Sequence, residues 1–209
     1  MIGTTLKFKS IKRIKFSATD VVMLFVLLSF IIGYIIGVVL IANGNKVFDT
    51  LAANRFKNTI HIIGEVGFWS NTFNSFLLLL PFLLASYLFG TCILGCALIP
   101  AVCVIKGIFE GAFVSYVYNT YSLSGMGFSS LVIAPYLIFS SFILLLASRE
   151  SICFSDRVLK NSLPRGTAIN LSDDYRVFTI RYAFMLLISI IAAIINTAFT
   201  NLFFDYFKF

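Results

Sequence analysis

The residues best suited to chemistry lie in one apolar stretch near the middle of the chain, IPAVCVIKGIFEGAFVSY. This stretch carries a base, Lys106, and an acid, Glu110, four residues apart. On a helix this spacing puts both side chains on one face, where they can neutralise each other. Charges inside a membrane are costly unless they are paired or hydrated, and they often mark function. We expect a buried pair that fixes helix packing. The alternatives are a proton or substrate path and a Lys106 side chain that reaches back to the cytoplasmic interface.

The remaining polar residues do not have the spacing of a known catalytic or metal site. His61 is the single histidine, and none of the four cysteines is spaced with it as a metal ligand. The sequence has no P-loop, no His-Glu metal motif and no glycine-rich dinucleotide fingerprint. We expect the cysteines to be small buried apolar residues. These observations predict a protein that is not an enzyme, with no catalytic residues, no metal and no cofactor.

Several residues around the charged pair have the pattern of helix packing. Gly107 and Gly111 form a G-x-x-x-G spacing, which lets two helix backbones approach closely within a bundle or between subunits of a homo-oligomer. Proline suits the first turn of a helix, so we expect Pro100 there, and we expect Pro135 to bend its helix. Arg181 lies near the start of the last predicted helix, so we expect it to anchor that helix at the membrane interface.

Composition places these residues in a membrane protein. Of the 209 residues 59% are hydrophobic and 12% are charged, and the mean hydropathy is +0.97. Soluble domains have about 45–50% apolar and about 25% charged residues. The net charge is +7, but the basic residues lie between apolar runs, as orientation signals do, so we expect membrane lipid and no nucleic acid as a partner. The sequence predicts an all-α, polytopic integral membrane bundle.

Five apolar runs are long enough to cross a hydrocarbon core of about 30 Å at 1.5 Å per helical residue. The second and third must form an apolar hairpin, and the break is expected among Gly90, Gly95 and Pro100. The first run is too long for a signal peptide, so we predict a retained helix. The predicted transmembrane helices of this single membrane domain (1–209) are 21–42, 72–89, 98–118, 128–147 and 178–203.

The distribution of basic residues predicts the orientation. With a cytoplasmic N-terminus, five spans put the basic tail 1–20 and the basic loop 148–177 on the cytoplasmic side, with ten of the 16 Lys and Arg. The outer loop 43–71 and the short polar loop 119–127 then hold three. Within the outer loop, Val47, Leu51 and Phe56 indicate a short helix with an apolar side. Cytoplasmic loops carry the positive excess. We therefore expect a multi-pass protein of the bacterial cell membrane with its N-terminus inside.

Residues 87–138 resemble the core of the stage II sporulation protein M family. The shared features are an apolar hairpin with glycines and a proline, a Lys-Gly pair followed by a spaced glycine, and a glycine-containing turn into a helix with proline. RYAF at 181–184 also resembles the opening of the family's last helix, so the resemblance covers about the last two-thirds of the chain. Glu110 stands where the family more often has an apolar or small residue. The matching positions are Gly90, Gly95, Pro100, Lys106, Gly107, Gly111, Gly125, Gly127 and Pro135.

The resemblance implies a role in endospore formation, as a membrane scaffold during engulfment. It implies partners resembling stage II sporulation proteins D and P, which cut peptidoglycan, whereas the scaffold itself does not. One alternative is a small permease or transporter subunit that uses Lys106 and Glu110 near the midplane. Another is a membrane protease or lipid-modifying enzyme, the weakest of the three, because no acidic, serine or histidine groups are predicted to meet within the bundle.

Overall fold

The computed structural model describes residues 18–65, 67–162 and 171–203, and this part of the chain is 95% helical. Five of its helices are long and apolar enough to cross a membrane, and the predicted all-α membrane bundle is confirmed. The sixth helix, Lys46–Glu65, has 20 residues but is not apolar enough to be a candidate span. The helices are α1 (Ala18–Ala42), α2 (Lys46–Glu65), α3 (Phe68–Gly90), α4 (Gly95–Phe128), α5 (Ala134–Ser162) and α6 (Leu171–Phe203), with a π-helical turn, Ser129–Ile133, between α4 and α5.

Helices α1 and α4 are parallel and make the closest backbone contact of the described bundle. A methyl group on Gly107 would lie 2.4 Å from the carbonyl oxygen of Phe30, and one on Gly111 would lie 2.2 Å from that of Tyr34. Contacts this short leave no room for a side chain. The predicted G-x-x-x-G face is therefore used inside the chain, between α4 and α1.

The matching glycines of α1 were not predicted as a packing motif. Gly33 and Gly37 have the same G-x-x-x-G spacing. A methyl group on Gly33 would lie 2.2 Å from the carbonyl oxygen of Val104, and one on Gly37 would lie 2.3 Å from that of Ile108. Two glycine pairs facing each other let the two backbones run side by side, which fixes where α4 presents its charged residues.

The other spanning helices pack antiparallel to their chain neighbours. The stacked rings of Phe154 on α5 and Phe178 on α6 have centroids 4.4 Å apart, and Tyr87 of α3 stacks on Phe178 at 5.3 Å. The hydroxyls of Ser151 and Tyr182 are 2.7 Å apart and join α5 to α6. Helices α1, α4 and α6 thus run in one direction and α3 and α5 in the other.

Most of the segment predicted as the outer loop 43–71 is helical, because α2 occupies 20 of its residues. Ala52 and Phe56 are buried on its inner side, whereas Val47 and Leu51 are exposed. The short helix that the sequence indicated here is confirmed, but of the three apolar residues that indicated it only Phe56 lies on the buried side. Helix α2 is an amphipathic helix that packs against α4.

Two other predicted loops are also shorter than expected. The polar segment 119–127 is a helical continuation interrupted at Ser122, which has φ 48°. The basic loop 148–177 is helical up to Ser162 and again from Leu171, and 163–170 lie outside the described residues, as do residues 1–17 of the basic tail. Helices extend beyond the hydrocarbon, so apolar runs underestimate their length.

The hairpin is present, with α3 ending at Gly90 and α4 beginning at Gly95. Helix α3 begins at Phe68, four residues before the predicted 72, and α4 begins three residues before the predicted 98. Pro100 is therefore the sixth residue of α4, whereas the sequence predicted it in the first turn. The early start arises because Gly95, Cys96 and Ala97 continue the helix instead of forming the turn.

Arg181 is also placed differently from the prediction. Because α6 begins at Leu171, Arg181 is its eleventh residue and does not lie near its start. Its guanidinium Nη1 lies 2.5 Å from Oε2 of Glu150 on α5, and the Arg181 side chain is 56% exposed. The segment 172–176 continues the helix towards its start, and Asp174 on it pairs with Arg157 of α5.

We predict that Gly111→Ala weakens the bundle, because its methyl group would push α4 away from α1. Overpacking of this kind costs about 1–3 kcal/mol. Thermal unfolding in detergent measures the loss. Gly67→Ala is the control, since a methyl group at Gly67 meets nothing within 4 Å. Equal stability of the two variants would contradict the close α1–α4 contact.

Candidate functional site

The charged pair lies deep within the bundle on α4. Lys106 is eleven residues from the start of the helix, about 16 Å along its axis, which is near the middle of a core of about 30 Å. Its Nζ is 2.6 Å from Oε1 of Glu110, and the two side chains are 2% and 1% exposed. The ion pair excludes the alternative in which Lys106 reaches back to the interface.

Three helices converge on this ion pair. Ser140 Oγ on α5 lies 3.3 Å from Oε1 of Glu110, and Ser141 Oγ lies 3.0 Å from Oε2. Both hydroxyls are also within hydrogen-bonding distance of the Leu137 carbonyl oxygen. A hydroxyl has one proton to donate, so each serine can serve the carboxylate or its own helix. From α3, Phe82 places its ring centroid 5.2 Å from the Lys106 ammonium.

An open groove of about 470 Å³ lies beside Glu110 between α1, α4 and α5. Its wall is mostly apolar, and Tyr34, Glu110 and Ser141 are among the polar residues in it. The π-helical turn Ser129–Ile133 forms one side of the groove. Short π-helical segments inside α-helices are frequent at functional sites. The groove therefore connects the ion pair to the side of the bundle.

Pro135 is the second residue of α5 and directly follows the π-helical turn. Proline has no N–H and its ring clashes with the carbonyl four residues earlier in a regular α-helix. A wider turn before it relieves this clash. The sequence predicted an irregularity at Pro135, but not that it takes the form of a π-helical turn in the groove wall.

Arg55 is the residue of this region that sequence reasoning missed. It was assigned to the outer loop, but on α2 its guanidinium carbon lies 4.4 Å from the ring centroid of Phe113. Burial lowers the pKa of Arg55, and the nearby Glu110 carboxylate raises it in part. The spacing of Ala52 and Phe56, both buried, could have indicated that this side of α2 faces the bundle.

A network of polar side chains lies next to Arg55, between α3, α5 and α6. The hydroxyl of Tyr136 donates to the backbone oxygen of Ser75 at 2.5 Å, and Asn196 Nδ2 donates to Ser75 Oγ at 3.0 Å. Asn71, which is 5% exposed, has an Nδ2 without an acceptor. An unsatisfied buried donor is uncommon and costs free energy, so this atom calls for an explanation.

The structure thus places the site residues predicted from the sequence in separate parts of the bundle. Lys106 and Glu110 form the buried centre, Gly107 and Gly111 bring α4 against α1, and Arg181 lies at the surface. Among residues 18–65, 67–162 and 171–203, no three His, Cys, Asp or Glu side chains are grouped so that they could hold a metal ion.

Comparisons with known protein families, with curated proteins and with solved structures found no match.

We predict that Glu110→Gln destabilises the protein more than the double variant Lys106→Met with Glu110→Gln. The single change leaves an unpaired ammonium in the bundle, at a cost on the order of 3–5 kcal/mol, whereas removing both charges is close to neutral. Unfolding of both variants in mixed micelles gives the comparison. Additive losses, with the double variant weaker than either single variant, would contradict a direct ion pair.

Proposed function

We propose that this protein is a non-enzymatic membrane scaffold in endospore formation, which recruits or anchors peptidoglycan hydrolases for septal wall thinning and engulfment. The proposal rests on the resemblance of residues 87–138 to stage II sporulation protein M. The partners would resemble stage II sporulation proteins D and P, and the site of action would be the bacterial cell membrane.

One structural observation supports the proposal most directly: the positions that carry the resemblance are packing positions. Gly107 and Gly111 press α4 against α1, and Gly90 and Gly95 end and begin the two helices of the hairpin. Glycines used in this way build a rigid bundle and present no chemistry of their own. A scaffold requires a fixed arrangement of helices of this kind.

The surface that a hydrolase would contact lies on and beside α2 if the N-terminus is cytoplasmic. At this end of the bundle Val47 is 64% exposed and Trp69 is 76% exposed. Because the G-x-x-x-G face of α4 is occupied by α1, a homo-oligomer would have to use another face. Lipid-facing residues of α6 such as Phe184 and Leu187 are exposed and available for such a contact.

Copurification tests the scaffold proposal, with the two hydrolases expressed beside the tagged protein and extracted in mild detergent. We expect both hydrolases with the wild type and a several-fold loss with Val47→Asp, which puts a charge on the exposed side of α2. Leu159→Asp, at an exposed apolar position near the other end of the bundle, should retain both. Failure of the wild type to bind either hydrolase would refute the scaffold.

A transporter subunit is the second candidate, favoured by the groove of about 470 Å³ that has Glu110 in its wall. A carboxylate that can exchange hydrogen-bond partners inside a membrane is a feature of proton paths. In this alternative Lys106 and Glu110 would carry the transported charge. The scaffold proposal, in contrast, gives the ion pair a purely structural role.

Proton flux into liposomes separates the two candidates. The scaffold proposal predicts that vesicles with the wild type leak protons no faster than vesicles of lipid alone. A faster flux that the double variant Lys106→Met with Glu110→Gln abolishes, while Glu150→Gln retains it, would favour transport. Glu150 is a suitable control because it pairs with Arg181 near the protein surface.

A further inference from the structure

Two cavities meet at Arg55, under the amphipathic helix α2. The smaller one, about 50 Å³, is lined largely by polar residues, including Asn71, Asn74 and Thr200. The larger one, about 480 Å³, is an open groove between α2 and α4. Arg55, Leu78 and Phe113 line both. Arg55 therefore lies at the boundary between a small polar cavity and an open, mostly apolar groove.

The charges around Arg55 do not balance. Lys106 and Glu110 neutralise each other, and Arg55 interacts electrostatically with both. Within the described part of the chain, no carboxylate lies within ion-pair distance of Arg55, and its guanidinium lies over the ring face of Phe113. The region carries one excess positive charge, and a partly buried charge favours a counter-charge beside it.

The small cavity also contains the donor that has no acceptor. Asn71 Nδ2 is buried and unpaired, and it lies in the first turn of α3, where the helix dipole favours negative charge. A cavity of this size has room for about three or four waters or for one small anionic group. A guanidinium together with a free amide N–H is well suited to an oxyanion.

The depth of Arg55 matches the headgroup region of a bilayer. Its ring partner Phe113 is eighteen residues from the start of α4, about 27 Å along the helix. If α4 starts at one interface, this position is near the other side of a core about 30 Å thick. The apolar groove then lies just inside the headgroup level, where α4 lines it with Phe109 and Ala112.

The groove itself suits a hydrocarbon chain. Helix α2 contributes Phe48, Leu51 and Ala52, and α4 contributes Phe109 and Ala112. These side chains are apolar, whereas Asn54 and Asn58 of α2 add polar groups, so the groove offers an acyl chain a wall that is mostly apolar. The two cavities together have the shape and polarity of a molecule with an anionic head and an apolar tail.

We propose that this site binds a phospholipid with net negative charge, with its phosphate at Arg55 and Asn71 and one acyl chain in the groove under α2. Arginine can bind two phosphate oxygens at once, and the lipid charge neutralises the excess charge of Arg55. A zwitterionic lipid adds a cation beside Arg55 and fits less well. The bound lipid would hold α2 against the bundle.

Native mass spectrometry with added phosphatidylglycerol tests this site. We expect the wild type to retain phosphatidylglycerol in preference to phosphatidylcholine. Arg55→Gln should weaken retention about tenfold, because a charge-assisted hydrogen bond is lost. Arg55→Lys keeps the charge and should weaken it less. Lys57→Gln removes an exposed charge from the same helix and should leave retention unchanged.

A thermal-shift series with the same four proteins completes the test and separates a lipid from free phosphate. We expect phosphatidylglycerol to stabilise the wild type and Lys57→Gln, and inorganic phosphate to have little effect at the same concentration. Equal stabilisation by inorganic phosphate would overturn the lipid assignment, since the groove would then contribute nothing. Equal retention of phosphatidylglycerol by Arg55→Gln and Lys57→Gln would overturn the site itself.

Discussion

The cost of a charge in hydrocarbon is the constraint on which this structure depends. Lys106 lies near the middle of the membrane, and its position is possible because Glu110 is one helical turn away and two serines of α5 lie beside the carboxylate. The glycine pairs of α1 and α4 close the bundle around this centre. Packing and electrostatics therefore act together: the backbones must approach closely for the pair to be shielded from lipid.

The same constraint connects the charged centre with α2. Arg55 adds a positive charge near one end of the bundle, and the polar network from Ser75 to Asn196 lies beside it. Helix α2 is thus part of the charged region of the protein rather than a connection between spans. Under the proposed scaffold function, a lipid bound at Arg55 would keep α2 in a fixed position on the bundle.

Much of the fold could be predicted from the sequence, because a run of about twenty apolar residues has few alternatives to a spanning helix. The Lys106–Glu110 spacing predicted their contact for the same local reason. Arg55 could not be placed in this way, because its position depends on how α2 packs on α4, a contact between segments far apart in the chain. The π-helical turn before Pro135 was missed because proline indicates where a helix is irregular but not how.

The charge state of Lys106 tests the central claim most directly. Nitrogen NMR of lysine-labelled protein in nanodiscs distinguishes an ammonium from an amine, and Lys106→Met assigns the signal. We predict an ammonium resonance that is protected from solvent and that shifts when Glu110 is replaced by Gln, while the signals of the other lysines stay unchanged. A solvent-exposed Lys106 resonance that is indifferent to the Glu110 replacement would contradict a bundle built around a buried ion pair.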